Sequence, residues 1–377
     1  MKGSIRIGQV RGIPLRTHWS VPLLVVLFAY GLGSRTLPSY VPGLAPGLYT
    51  LGALAGALLL MVSLVVHEAA HALTGRRAGI PVQDMTLWAL GGITRMDRPK
   101  TARAAFVVAV SGPLASLAVG GVVLAAGVGT YALFGRSVPV GVLLWLGGAN
   151  LLLGVFNLLP AAPLDGGRVL QAVVWWRTGD QDRALRAAGR SGQVFGWLLV
   201  AVGVLSFAGG ASGGLWLVLI GGFVAIVASA ERKRAVLGAA LRGVRADEAM
   251  SGPVTTGPDW LTVDRFIEEI AAQAGHSVLP LLDFEGRSSG VVQLRRLAAV
   301  PPARRPAVRV RDVAAPVSRC TVAAPEEAME DILDRIGSTT GTGLPVLVME
   351  GGHLAGIITA HDITRLVRRH TLGPAPG

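Results

Sequence analysis

Leu58-Leu59-Leu60-Met61-Val62-Ser63-Leu64-Val65-Val66-His67-Glu68-Ala69-Ala70-His71 decides how this chain is read. From Leu51 to Val66 every residue is apolar or small, except Ser63. An acid and two imidazoles then arrive where a membrane span should still be running. An ionisable side chain at bilayer depth costs about 2.5–3.5 kcal/mol on insertion scales, so one found there points to a function. On a helix, His67 and His71 are four residues apart and share a face. Their ring nitrogens then lie about one turn apart, as a single Zn²⁺ requires, with Glu68 beside them as a candidate general base. The bland alternative is a surface helix with two solvated histidines. It fits poorly with a flank of Leu58, Leu59, Leu60, Met61 and Val62.

Composition agrees with a membrane setting. The chain has 377 residues, of which only 15% are charged, and a mean hydropathy of +0.54. Those values lie outside the soluble globular range, and the length allows two or three domains. The single cysteine, Cys320, excludes an intramolecular disulfide and a cysteine-rich zinc site. The net charge of +12 is uneven: residues 1–230 hold 17 basic residues against six acids, while residues 231–377 hold 18 against 17. A nucleic-acid binder can be this basic, but here the positive charges sit in short loops between apolar runs. They read as topology signals, and no nucleic-acid partner is expected. No cleavable signal peptide is expected either, because Met1–Arg16 is long and polar and no small-residue cleavage site follows.

Six spans emerge, over about Trp19–Leu32, Leu48–Leu73, Ala104–Leu133, Val140–Leu159, Val194–Phe207 and Leu215–Ala230. The far-side turns of that arrangement hold only Arg35 and Arg136, so the bias of basic residues places both termini in the cytoplasm. Ile80–Met96, with its β-branched content and Gly91-Gly92 break, predicts short strands or a hairpin, with a connecting loop as the alternative. Gly112-Pro113 interrupts the third span and marks close helix packing. Gln171–Arg190 reads as an amphipathic segment at the cytoplasmic surface.

A catalytic zinc usually keeps three protein ligands and one open position. His18 is the only other histidine in the first 230 residues, which favours a carboxylate as the third ligand. Asp165 stands out. It ends the fourth span, between Pro163 and Gly166-Gly167, and that span runs the same way through the membrane as the second. A helix N-cap is the alternative role for Asp165, and it does not exclude ligation.

His67-Glu68-Ala69-Ala70-His71, with Asn157 and Leu164-Asp165-Gly166, resembles the site-2 protease family of intramembrane zinc metalloproteases. Leu90-Gly91-Gly92-Ile93-Thr94 and Ser111-Gly112-Pro113 with Ser116 also look like family features. The similarity covers roughly residues 15–230. It implies one zinc per subunit held by His67, His71 and Asp165, with Glu68 as acid and base and Asn157 assisting the site. Many relatives carry an asparagine where this chain has Ser116, which is assigned no role. Zinc chemistry suits peptide hydrolysis, because the ion polarises a carbonyl and brings the pKa of a bound water to about 7. Glu68 would move the water proton to the leaving amine. Asn157 would donate a hydrogen bond to the oxyanion, a helix-end cap being its alternative role. Substrate peptide in a membrane helix must unwind, and an edge strand carrying Gly91, Gly92 and Ile93 could hold it by strand addition.

The remainder reads as two similar halves. Leu279-Pro280-Leu281-Leu282 followed by Gly290-Val291-Val292 recurs as Leu344-Pro345-Val346-Leu347 followed by Gly356-Ile357-Ile358. Each half predicts a helix (Val263–Gln273; Pro325–Ile336), two short strands and a second helix. This resembles a tandem cystathionine-β-synthase (CBS) module, a family that often binds adenine nucleotides between its halves. Gly356-Ile357-Ile358-Thr359-Ala360-His361-Asp362 is similar to that family's ribose-phosphate motif, through Thr359 and Asp362. The first half departs from it, with Gln293 and Arg296 at those places.

The expected architecture is therefore a membrane α-helical domain of about six transmembrane helices with a short membrane-associated β hairpin, over residues 1–235. A linker at 236–243 leads to an α/β tandem CBS module at 244–370 (repeats 244–300 and 308–370) and a tail at 371–377. The expected protein is a multi-pass cell-membrane protease with a cytoplasmic module, which could bind an adenine nucleotide or pair two copies into a homodimer. Its expected partners are the lipid bilayer and single-span substrates such as anti-sigma factors or membrane-tethered pro-proteins. A rival reading is a transporter or channel regulated by the CBS module, though a transporter has no use for an acid beside a histidine pair. An inactive scaffold is disfavoured, because every expected ligand is present.

Overall fold

The computed structural model describes residues 3–89, 91–338 and 344–372. Leu90, one of the residues of the family-like segment, and the end of the tail lie outside the described residues. The chain divides into two compact units, Met1–Ala235 and Val236–Gly377.

The first unit opens with a hairpin in the stretch Met1–Arg16, which reads from sequence only as long and polar. Strand β1 (Ser4–Val10) pairs antiparallel with β2 (Ile13–His18) across Arg11-Gly12. Both turn residues have positive φ, 48° and 87°, as the tightest hairpin turn demands. β2 continues in parallel into β3 (Val82–Trp88), which pairs antiparallel with β4 (Gly91–Met96). The expected hairpin over Ile80–Met96 is thus half of a four-stranded sheet, ordered β1-β2-β3-β4, with β4 at one edge. Asp84 joins three of these strands, 3.8 Å from Arg16 Nε and 3.7 Å from Arg95 Nε.

Six helices are long and apolar enough to cross a membrane: α1 (Val21–Tyr40), α2 (Pro46–Arg77), α3 (Ala102–Phe134), α4 (Val138–Asn157), α6 (Gln181–Ala208) and α7, whose apolar stretch is Gly214–Gly238. The shorter α5 (Asp165–Thr178) lies between α4 and α6. Their outward faces are apolar: Leu23, Val122, Leu152, Leu205 and Ile226 are all exposed. Such faces need lipid to cover them. At 32 residues, α2 spans about 48 Å, well over the ~30 Å hydrocarbon core. Glycines set the close helix pairs. A side chain at Gly120 or Gly147 would meet Leu151 or Leu124 across the α3–α4 contact, and one at Gly196 or Gly221 would meet backbone across α6–α7.

Two sequence expectations are corrected here. Gln171–Arg190 is not one amphipathic segment. Gly179 ends α5 in a left-handed conformation at φ 70°, and Asp180 caps α6 by accepting from the amides of Asp182 and Arg183 at 2.8 and 2.9 Å. The last residues of that segment are therefore the first turns of the fifth span. Nor are residues 236–243 a separate linker, because α7 runs on to Leu241. Leu237 and Leu241 pack with Met329, Ile332 and Val346, so burial of this last turn accounts for the continued helix.

In the second unit each half repeats one arrangement. The first half has β5 (Gly257–Pro258), α8 (Val263–Glu269), β6 (Val278–Leu282), β7 (Ser288–Gln293), α9 (Leu294–Ala298) and β8 (Ala315–Pro316), with sheet order β5-β6-β7-β8. The second has β9 (Thr321–Ala323), α10 (Met329–Ser338), β10 (Val346–Glu350), β11 (His353–Ile358) and α11 (Ala360–Leu372), with sheet order β11-β10-β9. In both, a parallel pair is followed by an antiparallel one.

Candidate metal centre

Four elements converge on the two histidines. α2 supplies His67, Glu68 and His71, all buried. The sheet seals this stretch of α2 from one side, through a cluster of Ile13, Ala69, Ala72 and Met85. From the other side α3 approaches at Gly112, where any side chain would overlap the Nε2 atoms of both His67 and His71. The Gly-Pro pair, expected from sequence to interrupt the third span, lies inside the continuous α3, and Gly112 sits where backbone must lie against the imidazoles.

Asp165 is the first residue of α5, one place inside the helix, and Leu164 is the cap. The tight entry to α5 needs Gly166 and Gly167, whose missing side chains leave room for the backbone of Leu158, Leu159, Ala161 and Ala162. This turn delivers the carboxylate to the imidazoles. Asp165 Oδ2 lies 3.2 Å from His67 Nε2 and 3.1 Å from His71 Nε2, and the two Nε2 atoms are 3.3 Å apart.

These distances test whether the group fits zinc. Ligands at about 2.0–2.1 Å around a tetrahedral ion are separated by roughly 3.3 Å. The three sides of this triangle, 3.1, 3.2 and 3.3 Å, match that spacing. The far ring nitrogens are already engaged. His71 Nδ1 lies 2.8 Å from the Val108 carbonyl, which can only accept, so this nitrogen carries a proton and Nε2 is the one that faces the shared centre. His67 Nδ1 lies 2.9 Å from Ser116 Oγ. Outer partners of this kind fix ring orientation in metal sites. Among the described residues, His67, His71 and Asp165 are the group of histidine, cysteine or acid side chains placed to share one ion. Two buried imidazoles and one carboxylate suit zinc, and the residues fit.

The Glu68 carboxylate lies against β4. Its Oε2 accepts from Thr94 Oγ1 at 2.6 Å, and a side chain at Gly92 would overlap the rest of the carboxylate. Of the strand residues named from sequence, Gly92 thus touches Glu68, Gly91 adopts a glycine-favouring φ of 129°, and Ile93 is exposed. Asn157 is not drawn into the triangle. Its Nδ2 donates to the Leu153 carbonyl at 3.0 Å, one turn back on α4. Ser116, Thr94 and the Val108 carbonyl were missed from sequence. For the two side chains the only signal was the family-like segments that contain them, and a backbone carbonyl has no sequence signal.

In the second unit Thr359 and Asp362 form a reciprocal cap. Thr359 donates to Asp362 Oδ2 from its amide at 2.9 Å and from Oγ1 at 2.7 Å, while the Asp362 amide lies 3.3 Å from Thr359 Oγ1. Ser251 Oγ and Arg365 Nη2 both donate to Asp362 Oδ1, at 2.6 and 3.0 Å. Burial alone would raise this carboxyl's pKa. The hydrogen bonds from Ser251 and Thr359 and the charge of Arg365 outweigh it and hold the group below the usual carboxylate range.

Residues 55–134 and 134–200 match Peptidase family M50, and residues 310–369 match the CBS domain family. A protein of Mycobacterium tuberculosis named as a zinc metalloprotease, Rip3, is 38% identical over 379 residues, covering 100% of this chain and 96% of that one. Zinc metalloprotease MJ0392 of Methanocaldococcus jannaschii is 27% identical over 369 residues, covering 97% and 96%. A solved site-2 protease from Methanocaldococcus jannaschii aligns at 26% identity with a TM-score of 0.42, covering 61% of this chain and 95% of that one.

Proposed function

The chain belongs to Peptidase family M50, and from that premise we propose that it is a zinc endopeptidase of the site-2 protease type, which cuts single-span membrane proteins in or near their spanning segment. One observation carries the reading: two imidazoles of α2 and one carboxylate of α5 share a triangle of 3.1–3.3 Å beside a buried glutamate.

His67, His71 and Asp165 would hold the ion, which when bound supplies a Lewis acid for the scissile carbonyl and acidifies a water. Glu68 accepts the proton of the attacking water at its carboxylate and returns it to the leaving amine. Asn157 keeps a second amide N–H beyond the one given to Leu153, and that N–H is the proposed donor to the oxyanion. A substrate unwound from its helix would pair with the outer edge of β4 at Gly91, Gly92 and Ile93, adding a strand to the sheet. Anti-sigma factors and membrane-tethered pro-proteins are the proposed substrates. Both termini and the CBS module are proposed to lie in the cytoplasm, with the helices crossing the cell membrane, a reading supported by the bias of basic residues.

The CBS module is proposed to take an adenine nucleotide at Thr359 and Asp362, and to pair two copies of the chain. AMP should raise the unfolding midpoint of the full-length protein, and Asp362→Ala should abolish that rise. An unchanged rise in Asp362→Ala would place the nucleotide elsewhere.

The test of the protease reading is Glu68→Gln. Full-length protein in proteoliposomes with a single-span substrate should lose cleavage by at least about 10³-fold, given what removing a general base and its geometry costs. The variant should still carry one zinc. Wild-type cleavage by Glu68→Gln would end the reading.

A further inference from the structure

The Glu68 carboxylate is held by one strand. Residues two apart on a strand face the same way, and on β4 those residues are Gly92 and Thr94. A side chain at Gly92 would overlap Cγ, Cδ and Oε1 of Glu68, so the carboxylate lies directly over the Gly92 backbone. Thr94 Oγ1 is 2.6 Å from Glu68 Oε2 and 3.3 Å from the Glu68 carbonyl. A hydroxyl has one proton to give, and the shorter contact takes it. The strand itself is anchored, because Gly92 pairs with Leu87 and Thr94 with Met85, and both partners are buried.

We infer that Thr94 is a positioning residue for Glu68: its hydroxyl and the gap at Gly92 fix the carboxylate with Oε2 occupied and Oε1 left to accept the proton. This rests on the reading of Glu68 as the base. It adds that the strand offered to substrate also sets the rotamer of the base. A glutamate has three rotatable bonds, and burial alone does not choose among its rotamers. Val in place of Thr keeps the branched shape and the strand propensity but removes the donor, whereas Ser keeps the donor.

The test compares wild type, Thr94→Val, Thr94→Ser and Glu68→Ala as full-length proteins, measuring kcat, KM, zinc content and unfolding midpoint. Thr94→Val should lose about 10–100-fold in kcat, the size expected of a small misplacement of a reacting group. Its KM should stay within about twofold and its zinc content at one per chain, and Thr94→Ser should recover most of kcat. The loss of midpoint caused by Thr94→Val should vanish when Glu68→Ala is already present. Equal impairment of Thr94→Val and Thr94→Ser, full activity in Thr94→Val, or an equal midpoint loss in both backgrounds would overturn the inference alone. Cleavage by Glu68→Ala at the wild-type rate would instead sink the base reading, and the inference with it.

Discussion

Each histidine of the triangle spends one ring nitrogen on the protein and leaves the other for the shared centre. For His71 the partner is the Val108 carbonyl, which no substitution removes, but for His67 it is the Ser116 hydroxyl. Ser116→Ala should therefore weaken zinc binding about 10–100-fold, as loss of an outer hydrogen bond to a ligating imidazole does. Competition against a chelator of known affinity measures it, and unchanged affinity would deny Ser116 that role. Gly112→Ala is the harsher change, because the added methyl would sit on the Nε2 atoms of both imidazoles. It should abolish zinc binding while the detergent-solubilised protein keeps its helical circular dichroism. His67, Glu68 and His71 were legible from sequence because ionisable groups inside an apolar run are too costly to sit there without a task. Ser116 and Thr94 were not, since a single hydroxyl becomes informative only once the atom facing it is known.

At the scale of elements, strand β4 is proposed to carry two duties, holding substrate at its edge and the Glu68 carboxylate on one face. Its outer edge is open among the described strands, and one face covers Glu68. Gly92→Ala should fold, because what its methyl meets is the end of a flexible side chain. It should keep zinc and lose cleavage at least about 10-fold through the displaced base. A Gly92→Ala enzyme with wild-type kcat would deny β4 any part in holding the base. The spans were legible because apolar runs of about 20 residues have one physical reading. The β1–β2 hairpin was not, although Arg11-Gly12 between Ile5, Ile7, Ile13 and Leu15 holds its turn and its alternation. Four basic residues among the first 16 mask that alternation with a topology signal. The break at Gly179-Asp180 was equally open to reading, as a helix stop followed by a cap.

At the scale of the whole molecule, the two units have different weak points. The second unit ties Ser251 to α11 through buried Asp362. Because that carboxyl is held below its ordinary pKa, its contribution to stability is complete above the unfolded value near 4. It is lost as pH falls through the lower folded value. The unfolding midpoint of the wild type should therefore drop below about pH 4 more steeply than that of Asp362→Asn, and parallel pH profiles would contradict the assignment. The repeat behind this unit was legible in its recurring Leu-Pro and Gly-Val-Val or Gly-Ile-Ile segments. The continuation of α7 to Leu241 was not, because only packing against Met329 and Ile332 reveals it. In the first unit the proposed chemistry depends on side chains from two helices, His71 and Asp165 being 94 residues apart in the chain, sharing one ion. The direct measurement is zinc content of the full-length protein after equilibration against a buffered low level of free zinc, wild type beside Asp165→Ala. One zinc per wild-type chain and a loss of most of it in Asp165→Ala is the predicted result; equal zinc in both proteins would contradict the shared site.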